Sequence, residues 1–417
     1  LGMMGQLSSC DYLDIVPDER AQESDTWKTE GAVRGYLYSC YGYLPANRTF
    51  GNSYWLAEEL TAVTKELFTT FKYGYYSPVS LGFTSNTWST IWNGIHQCYM
   101  FQESLKQVSN EYVTDEMKKQ YLAESNFLIA YYHFLSMRSY GPTMIIRSVI
   151  DLETPISGFP ERSSIDEVVA FINEKLDEAM SEGGLPTTWS GKDYGRATRL
   201  AALALKSRVY LYAASPLYNG NTEMYADFRS LLDGRQLIAQ EKSQAKWEIS
   251  ATQTKYAIDE VEKAKFHLYH DADAGEPSDA KPGLPNKAQR RLRYTNIDNQ
   301  TGNNPEIIWA DTRNDDYYGI QRRCPPRQTL GGKFAGISMT NCPTLQTIEA
   351  FYTKNGLPIN KDKTFDYDER YEYISAPENC DGNNYEDLVK YANFTPSSDK
   401  VMRLCTCLLY TSDAADE

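Results

Sequence analysis

The sequence has few of the side chains and segments that mark several large classes of protein. It contains only 4 His, and its 8 Cys form no CxxC pair, so the usual spacings of a zinc site are absent. No stretch of about 20 apolar residues occurs, and no helix is therefore expected to span a membrane. The formal net charge is -14 and no Lys/Arg-rich block is present. A nucleic-acid partner is not expected, because binding a phosphate backbone requires a basic face.

The sequence also lacks the common catalytic motifs, namely HExxH, GxSxG, Walker A and GxGxxG. His267 and His270 stand near Asp271 and Asp273 and could contact a metal, but such a cluster is more often a solvated helix end. A glycoside hydrolase needs two carboxylates that flank the bond, and 56 acidic residues do not exclude such a pair by counting. We predict a protein that is not an enzyme and that uses no metal or cofactor.

The first part of the sequence has the pattern of amphipathic helices. Ser164 and Glu167 match a capping box, and apolar residues at helical spacing follow until Gly183. Similar patterns predict helices from Thr114 to Gly141, around residues 88–99, and over 30–44 and 195–214. Because these helices come as pairs joined by loops, the sequence predicts stacked hairpins of the tetratricopeptide kind.

The character of the sequence changes at about residue 270. Residues 271–305 are polar and rich in Pro, which predicts a long surface loop, and residues 307–310 are strand-like. Gly-rich and Tyr-rich connections follow. The predicted fold class is therefore mainly α, with tetratricopeptide-like helical hairpins and a loop-rich, short-strand second half.

Residues 7–10, Leu-Ser-Ser-Cys, resemble the lipobox of bacterial lipoproteins, and a polar segment follows at once. In a lipobox the small residues suit the signal peptidase and the Cys thiol accepts the lipid. We therefore expect residues 1–10 to be the remnant of a signal peptide that ends at a lipid-bearing Cys10. Several acyl chains would hold the protein on the membrane, because each buried methylene contributes about 0.8 kcal/mol.

Five further blocks, in a fixed order, resemble the SusD-like (or RagB-like) outer-membrane lipoproteins of Bacteroidetes. They are WSTIWNGIHQCYMFQESL at 88–105, YLAESNFLIAYYHFLSMRSYGPTMII at 121–146, GRATRLAALALKSRVYLYAASPLYNG at 195–220, NPEIIWA at 304–310 and PTLQTIEAFYTKNGLPI at 343–359. The resemblance covers most of residues 10–375. It implies tetratricopeptide-like helix pairs that carry an irregular, loop-rich second half.

The resemblance also implies a function. Such lipoproteins lie at the cell surface, cap a SusC-like TonB-dependent outer-membrane transporter, bind oligosaccharides and deliver them to the channel. Some members bind peptides instead, so a peptide-binding RagB-type importer subunit stays open as an alternative. A surface glycoside hydrolase on a helical scaffold is the alternative of another class.

The resemblance sets the expected limits of the domain. Residues 11–403 are expected to form a single SusD-like domain, with an N-terminal part over about 11–220 and a loop-rich part over about 221–403. The family usually continues further, so its C-terminal end is expected to be missing. Residues 404–417 have no family pattern, and we expect them to be a non-native tail.

Two Tyr-rich segments have the composition of a sugar-binding surface. Aromatic rings stack on the C–H groups of a pyranose, while amides, carboxylates and Arg bind its hydroxyls. The alternative is that these aromatic side chains fill the contact between loops and helices, as expected for Trp88, Trp92 and Trp309. The candidate ligand contacts are Tyr54, Trp55, Tyr75 and Tyr76 in the first segment, and Asp311, Arg313, Asn314, Tyr317 and Tyr318 in the second.

Overall fold

The predicted fold class is confirmed, because the protein is mainly helical. The computed structural model describes residues 27–45, 60–62, 83–151, 153–270, 295, 304–312, 341–353, 355–375 and 400–402. The helices are α1 (Glu30–Tyr41), α2 (Phe83–Leu105), α3 (Asp115–Tyr140), α4 (Ile165–Ala179), α5 (Arg199–Ala214), α6 (Thr222–Tyr225), α7 (Gln244–Lys263) and α8 (Leu345–Glu349). The strands are β1 (Leu60–Ala62), β2 (Asn341–Pro343), β3 (Tyr373–Ser375) and β4 (Lys400–Met402).

Local signals in the sequence set the ends of the helices. The capping box is confirmed at α4, where the Ser164 hydroxyl accepts a hydrogen bond from the Glu167 N–H and the Glu167 carboxylate accepts one from the Ser164 N–H. Thr114 caps α3, and this helix ends at Gly141, which has a φ of 71°. Helix α5 begins at Arg199, later than the pattern over 195–214 predicted, because the Thr198 side chain caps it.

The helices form a stack in which each long helix packs mainly against the next one along the chain. Helix α1 packs against α2, α2 against α3, α3 against α4, α4 against α5, and α5 against α7. Helix α3 is buried along most of its length, because α1, α2, α4 and α5 all contact it. The predicted stacking of helical hairpins is therefore present, and we call residues 27–270 the helical stack.

The residues that the structure describes after 270 form little regular structure of their own. Strand β1 pairs antiparallel with β2, with Leu60 opposite Pro343, and β3 pairs antiparallel with β4. The prediction of a strand at 307–310 was wrong, because this segment forms turns and bends and packs by its side chains. The limits predicted for the domain and for the terminal segments stay predictions.

One large apolar core runs through the helical stack, from Val33 of α1 to Ile238. A much smaller cluster lies in the later segments, where the buried Ile348 and Ile359 pack with Phe365 and Tyr367. Within the described residues, no helix combines the length and apolar character that crossing a membrane requires.

Candidate functional site

The structure describes one of the predicted ligand contacts, Asp311, and places it in the wall of a cavity. The other predicted contacts lie outside the described residues, as does the predicted lipid-bearing Cys10. They are Tyr54, Trp55, Tyr75, Tyr76, Arg313, Asn314, Tyr317 and Tyr318. Asp311 therefore supplies the starting point from which the site can be built.

The cavity beside Asp311 has a volume of about 590 Å³ and lies where four parts of the chain meet. These parts are the end of α1 with the residues after it, the middle of α3, the turn at 192–196, and residues 309–312. The lining residues are Tyr38, Tyr41, Gly42, Leu44, Pro45, Tyr131, Arg138, Lys192, Tyr194, Gly195, Arg196, Trp309, Ala310, Asp311 and Thr312. Its volume is in the range of pockets that bind small molecules.

The lining combines aromatic rings with a few charged and hydroxyl groups. Tyr38 is 40% exposed and offers its ring to the solvent. Lys192 and Asp311 bring opposite charges to the wall, and Thr312 adds a hydroxyl group. Aromatic faces attract polarised C–H groups, and charged side chains bind hydroxyls. The wall therefore has the chemistry that a sugar requires.

Trp309 joins the later part of the chain to the helical stack. Its ring meets Phe127 edge-on at a centroid distance of 5.1 Å and Tyr131 at 5.6 Å. Its Nε1–H donates a hydrogen bond of 2.8 Å to the carbonyl of Gly195. The prediction that Trp309 packs against the core is confirmed. The same residue also lines the cavity, which sequence reasoning did not anticipate.

Gly195 allows the segment at 309–312 to approach the turn at 192–196. Its φ is 97°, a conformation that side-chain-bearing residues rarely adopt. A Cβ at this position would lie 2.7 Å from Cγ2 and 2.9 Å from Oγ1 of Thr312. The close contact therefore depends on glycine, both for the backbone conformation and for the space.

A buried ionic network supports the floor of the cavity. The Arg196 guanidinium donates to both oxygens of Glu124, and its Nη1 donates to Asp193 at 2.8 Å. Glu124 is fully buried and also accepts a hydrogen bond of 2.6 Å from the Tyr41 hydroxyl, which itself accepts from the Ala197 N–H. The network thereby ties α1, α3 and the 193–197 turn together beneath the lining residues.

Ring contacts and charge stabilise this network. The Arg196 guanidinium lies 4.0 Å from the ring centroid of Trp189, a cation–π contact. Burial raises the pKa of the Glu124 carboxyl, while the hydrogen bonds and the charge of Arg196 counteract that rise. Burial alone would lower the pKa of Arg196, but Glu124 and Asp193 outweigh it, so the guanidinium stays charged.

Several lining residues escaped sequence reasoning because they belong to helices whose patterns indicated core. Tyr38 and Tyr41 lie in α1, while Tyr131 and Arg138 lie in α3. The available signal was the number of Tyr residues on helices, since a Tyr can pack its ring and expose its hydroxyl. Spacing alone does not say which of them face a cavity.

No group of three or more His, Cys, Asp or Glu side chains within the described residues is placed to hold a metal ion. The rings of His267 and His270 stack on each other at a centroid distance of 5.4 Å, and Nδ1 of His267 bonds to the carbonyl of Leu268. Neither residue lines the cavity described above.

Comparisons with known proteins agree with this architecture. A family model described as SusD-like_3, "Starch-binding associating with outer membrane", matches residues 11–211. The solved structure named BT4246 aligns with a TM-score of 0.66 at 29% sequence identity, covering 84% of this chain and 61% of that one. A SusD-like protein (BF3747) from Bacteroides fragilis NCTC 9343 aligns with a TM-score of 0.59 at 20% identity, covering 86% of this chain and 59% of that one.

This chain thus spans about three fifths of the length of the solved structures that it matches. No curated protein sequence matches it. The family match covers the helices that build the core, and the two solved structures share their arrangement. This chain is therefore similar to SusD-like proteins, in its sequence over residues 11–211 and in its fold.

Proposed function

We propose that this protein captures oligosaccharides at the cell surface and delivers them to a SusC-like TonB-dependent transporter of the outer membrane. It acts there as a lipoprotein tethered through Cys10, and it does not cleave its ligand. The family match supports glycan binding and the outer membrane as the place of action. Capture then occurs in the cavity between α1, α3, the 192–196 turn and residues 309–312.

The aromatic lining of this cavity is the observation on which the proposal rests. Tyr and Trp rings line the cavity together with Lys192 and Asp311, which can bind hydroxyl groups. Asp311 is the single carboxylate among the lining residues that the structure describes. Hydrolysis of a glycosidic bond uses two carboxylates on either side of that bond. The lining residues that the structure describes therefore favour binding of a glycan over cleavage of its glycosidic bonds.

A matched pair of tyrosine variants tests the site. Tyr38 is 40% exposed and lines the cavity, whereas Tyr112 is 36% exposed and stands in the turn between α2 and α3. We expect Tyr38→Ala to weaken binding about 2–10-fold, the size of one lost ring contact of about 0.5–1.5 kcal/mol. Tyr112→Ala should leave binding unchanged. Affinity electrophoresis on a panel of polysaccharides that includes starch identifies a glycan that retards the protein. Calorimetry with that glycan then measures the affinity of both variants.

The same panel distinguishes the proposal from its alternatives. Glycan and peptide libraries are tested in parallel, and a reducing-sugar assay follows each glycan that binds. Retardation by a glycan without release of product supports the proposal. Binding of peptides alone would make the protein a peptide importer subunit, and sustained product release would make it a glycoside hydrolase.

The membrane tether is tested separately from the binding site. In a Bacteroides host, Cys10→Ala should abolish labelling by a radioactive fatty acid and release the protein from the outer-membrane fraction. Cys342→Ala serves as the control, because this cysteine belongs to strand β2. Co-purification of a TonB-dependent transporter with the unaltered protein, and its loss with Cys10→Ala, would support delivery to a transporter. Labelling that persists in Cys10→Ala would contradict the tether.

A further inference from the structure

Two cysteines of the helical stack lie on neighbouring helices and are completely buried. Cys40 lies in the last turn of α1, and Cys98 lies in α2, which packs against α1. Both thiols are free and both residues have no exposed surface. Neither takes part in the cavity or in the ionic network beneath it, so the proposed function gives them no role.

The register of the two helices brings these thiols together. Next to them, Gln97 of α2 donates a hydrogen bond of 3.0 Å to the Ser39 hydroxyl of α1. The Cys40 thiol donates a hydrogen bond of 3.7 Å to the Tyr36 carbonyl, and it is close enough to the Cys98 thiol to help raise the pKa of that thiol. A disulfide requires sulfur atoms about 2.05 Å apart on side chains that point at each other. Both side chains are buried in the same core, on two helices that pack against each other.

Helix α3 fixes the backbone on both sides of the pair. The Tyr132 hydroxyl donates a hydrogen bond of 2.6 Å to the carbonyl of Cys40, and the Ser125 hydroxyl donates one of 3.2 Å to the carbonyl of Cys98. Because α3 is the most buried helix of the stack, these bonds hold α1 and α2 at a constant distance. The thiols are therefore kept opposite each other in the folded protein.

We propose that Cys40 and Cys98 form a disulfide bond that links the end of α1 to α2. The alternative is that both thiols act only as small apolar side chains of the core. The bond is favoured because proteins exported from the cytosol meet oxidising conditions, under which facing thiols pair. This inference rests on the export that the proposed function includes, and not on which ligand occupies the cavity.

The bond forms by exchange with a small-molecule disulfide such as oxidised glutathione. The two cysteine thiols lose two protons and two electrons in all, one S–S bond forms between them, and the S–S bond of glutathione is replaced by two glutathione thiols. Burial raises the pKa of the Cys98 thiol, so the reactive thiolate is rare in the folded protein. Formation is therefore fastest while the chain folds, before the core closes.

The position of the pair makes the bond relevant to the binding site. Cys40 lies between Tyr38 and Tyr41, two residues that line the cavity. A link from Cys40 to α2 closes residues 41–97 into a loop and holds this end of α1 against the core. It also restricts the unfolded chain, which is the usual origin of stabilisation by a disulfide.

Disulfide mapping of the unaltered full chain tests the proposal directly. The protein is refolded from denaturant in a glutathione redox buffer, quenched with acid, alkylated in denaturant and digested with trypsin without reduction. Cys40 is the only cysteine of the tryptic peptide 35–48, and Cys98 is the only one of 73–106. We expect one cross-linked species that joins these peptides and that disappears after reduction.

Stability measurements on variants give an independent readout. Oxidation should raise the thermal midpoint of the unaltered protein and of Cys342→Ala by several degrees, and it should leave Cys40→Ala and Cys98→Ala unchanged. The mapping experiment needs no variant, so it remains decisive if an alanine variant fails to fold. Alkylation of both Cys40 and Cys98 after oxidative refolding, or pairing of either with another cysteine, would overturn the proposal.

Discussion

The helical stack and the later segments of the chain differ in where their stabilising contacts come from. In the stack, each long helix packs mainly on the next one in sequence, and one large core runs through these helices. Residues 304–312 instead pack through Trp309 onto Phe127 and Tyr131 of α3, far away in the sequence. The stack therefore supplies the scaffold, and the later residues complete a cavity by resting on it.

This difference indicates where function can vary. Residues that make the stack are constrained by many neighbours, so their identity is set mainly by packing. Where the two regions meet, the residues from both line a cavity. Variation there changes the ligand surface without dismantling the core.

The largest effect is expected at Arg196, whose positive charge balances the buried carboxylate of Glu124. In Arg196→Met, the fully buried Glu124 loses its partner, which should cost about 3–5 kcal/mol in the free energy of unfolding. Urea denaturation measures this cost. The double variant Glu124→Gln/Arg196→Met removes both charges and should recover most of the loss. A cost below about 1 kcal/mol in the single variant, typical of exposed ion pairs, would contradict our view of this network.

A pair of isoleucine substitutions compares the two regions directly. Ile172 in α4 is fully buried in the large core, and Ile359 is 3% exposed in the small cluster. Ile172→Ala should lower the free energy of unfolding by about 2–5 kcal/mol, because the cavity that it leaves lies in the cooperative unit. Ile359→Ala should instead increase hydrogen exchange only near residues 345–365. Equal effects on the midpoint of global unfolding would show that the regions unfold together.

Acid should weaken the stack through His133. Burial lowers the pKa of His133 to about 4, although the bond between Nδ1 and the Ile129 carbonyl opposes this shift. Nε2 accepts a hydrogen bond of 3.3 Å from the Ile146 N–H, which requires the neutral ring. The neutral ring stabilises the fold fully above the unfolded pKa of about 6.5. That contribution, about 3 kcal/mol, is lost as the pH falls from about 6.5 to about 4.

The measurement is the free energy of unfolding between pH 7.5 and 4, compared with His133→Asn, whose amide does not titrate. The difference between the two proteins should shrink as the pH falls. The later segments should respond differently, because hydrogen bonds from Thr353 and Thr364 hold the pKa of Asp362 well below its usual range. Asp362 should therefore stay charged across this range. Parallel pH profiles for both proteins would contradict the role of His133.

The comparison also explains how much of the structure could be predicted from the sequence. The caps at Ser164 and Thr114 and the end at Gly141 were predicted correctly, since each rests on contacts within a few residues. The fold class was also predicted correctly, because hairpins of neighbouring helices can be predicted from local sequence patterns. Residues 307–310 were predicted as a strand and form none, since a short apolar run does not reveal whether it has a pairing partner.

The site was harder to predict because its walls come from distant parts of the sequence. Asp311 was identified as a ligand contact, and it does line the cavity, although its role in binding stays a prediction. Tyr38, Tyr131 and Lys192 were not identified. Nothing in their spacing reveals that α1, α3 and the 192–196 turn converge, because that depends on how the buried pair of Glu124 and Arg196 joins them.

The smallest effect is expected at Gly195, where a single added methyl group would push the two regions apart. Gly195→Ala would strain a backbone with φ of 97° and place Cβ 2.7 Å from Thr312 Cγ2. We expect a cost of about 1–3 kcal/mol in the free energy of unfolding, together with faster hydrogen exchange at residues 309–312. Gly191→Ala is the matched control, because Gly191 also has a positive φ, 60°, but a methyl group there would meet no atom within 4 Å.

The double variant Gly195→Ala/Thr312→Ala separates strain from contact. If the methyl group acts by pushing away the 309–312 segment, removing the Thr312 side-chain atoms should restore slow exchange there while the backbone strain remains. The affinity for glycan should change in parallel with the hydrogen-exchange rate of residues 309–312. It should not change in parallel with the free energy of unfolding, because the helices beneath this segment are unchanged. If Gly195→Ala and Gly191→Ala had equal effects on exchange at 309–312, the close approach of Thr312 would not be what holds the cavity wall in place.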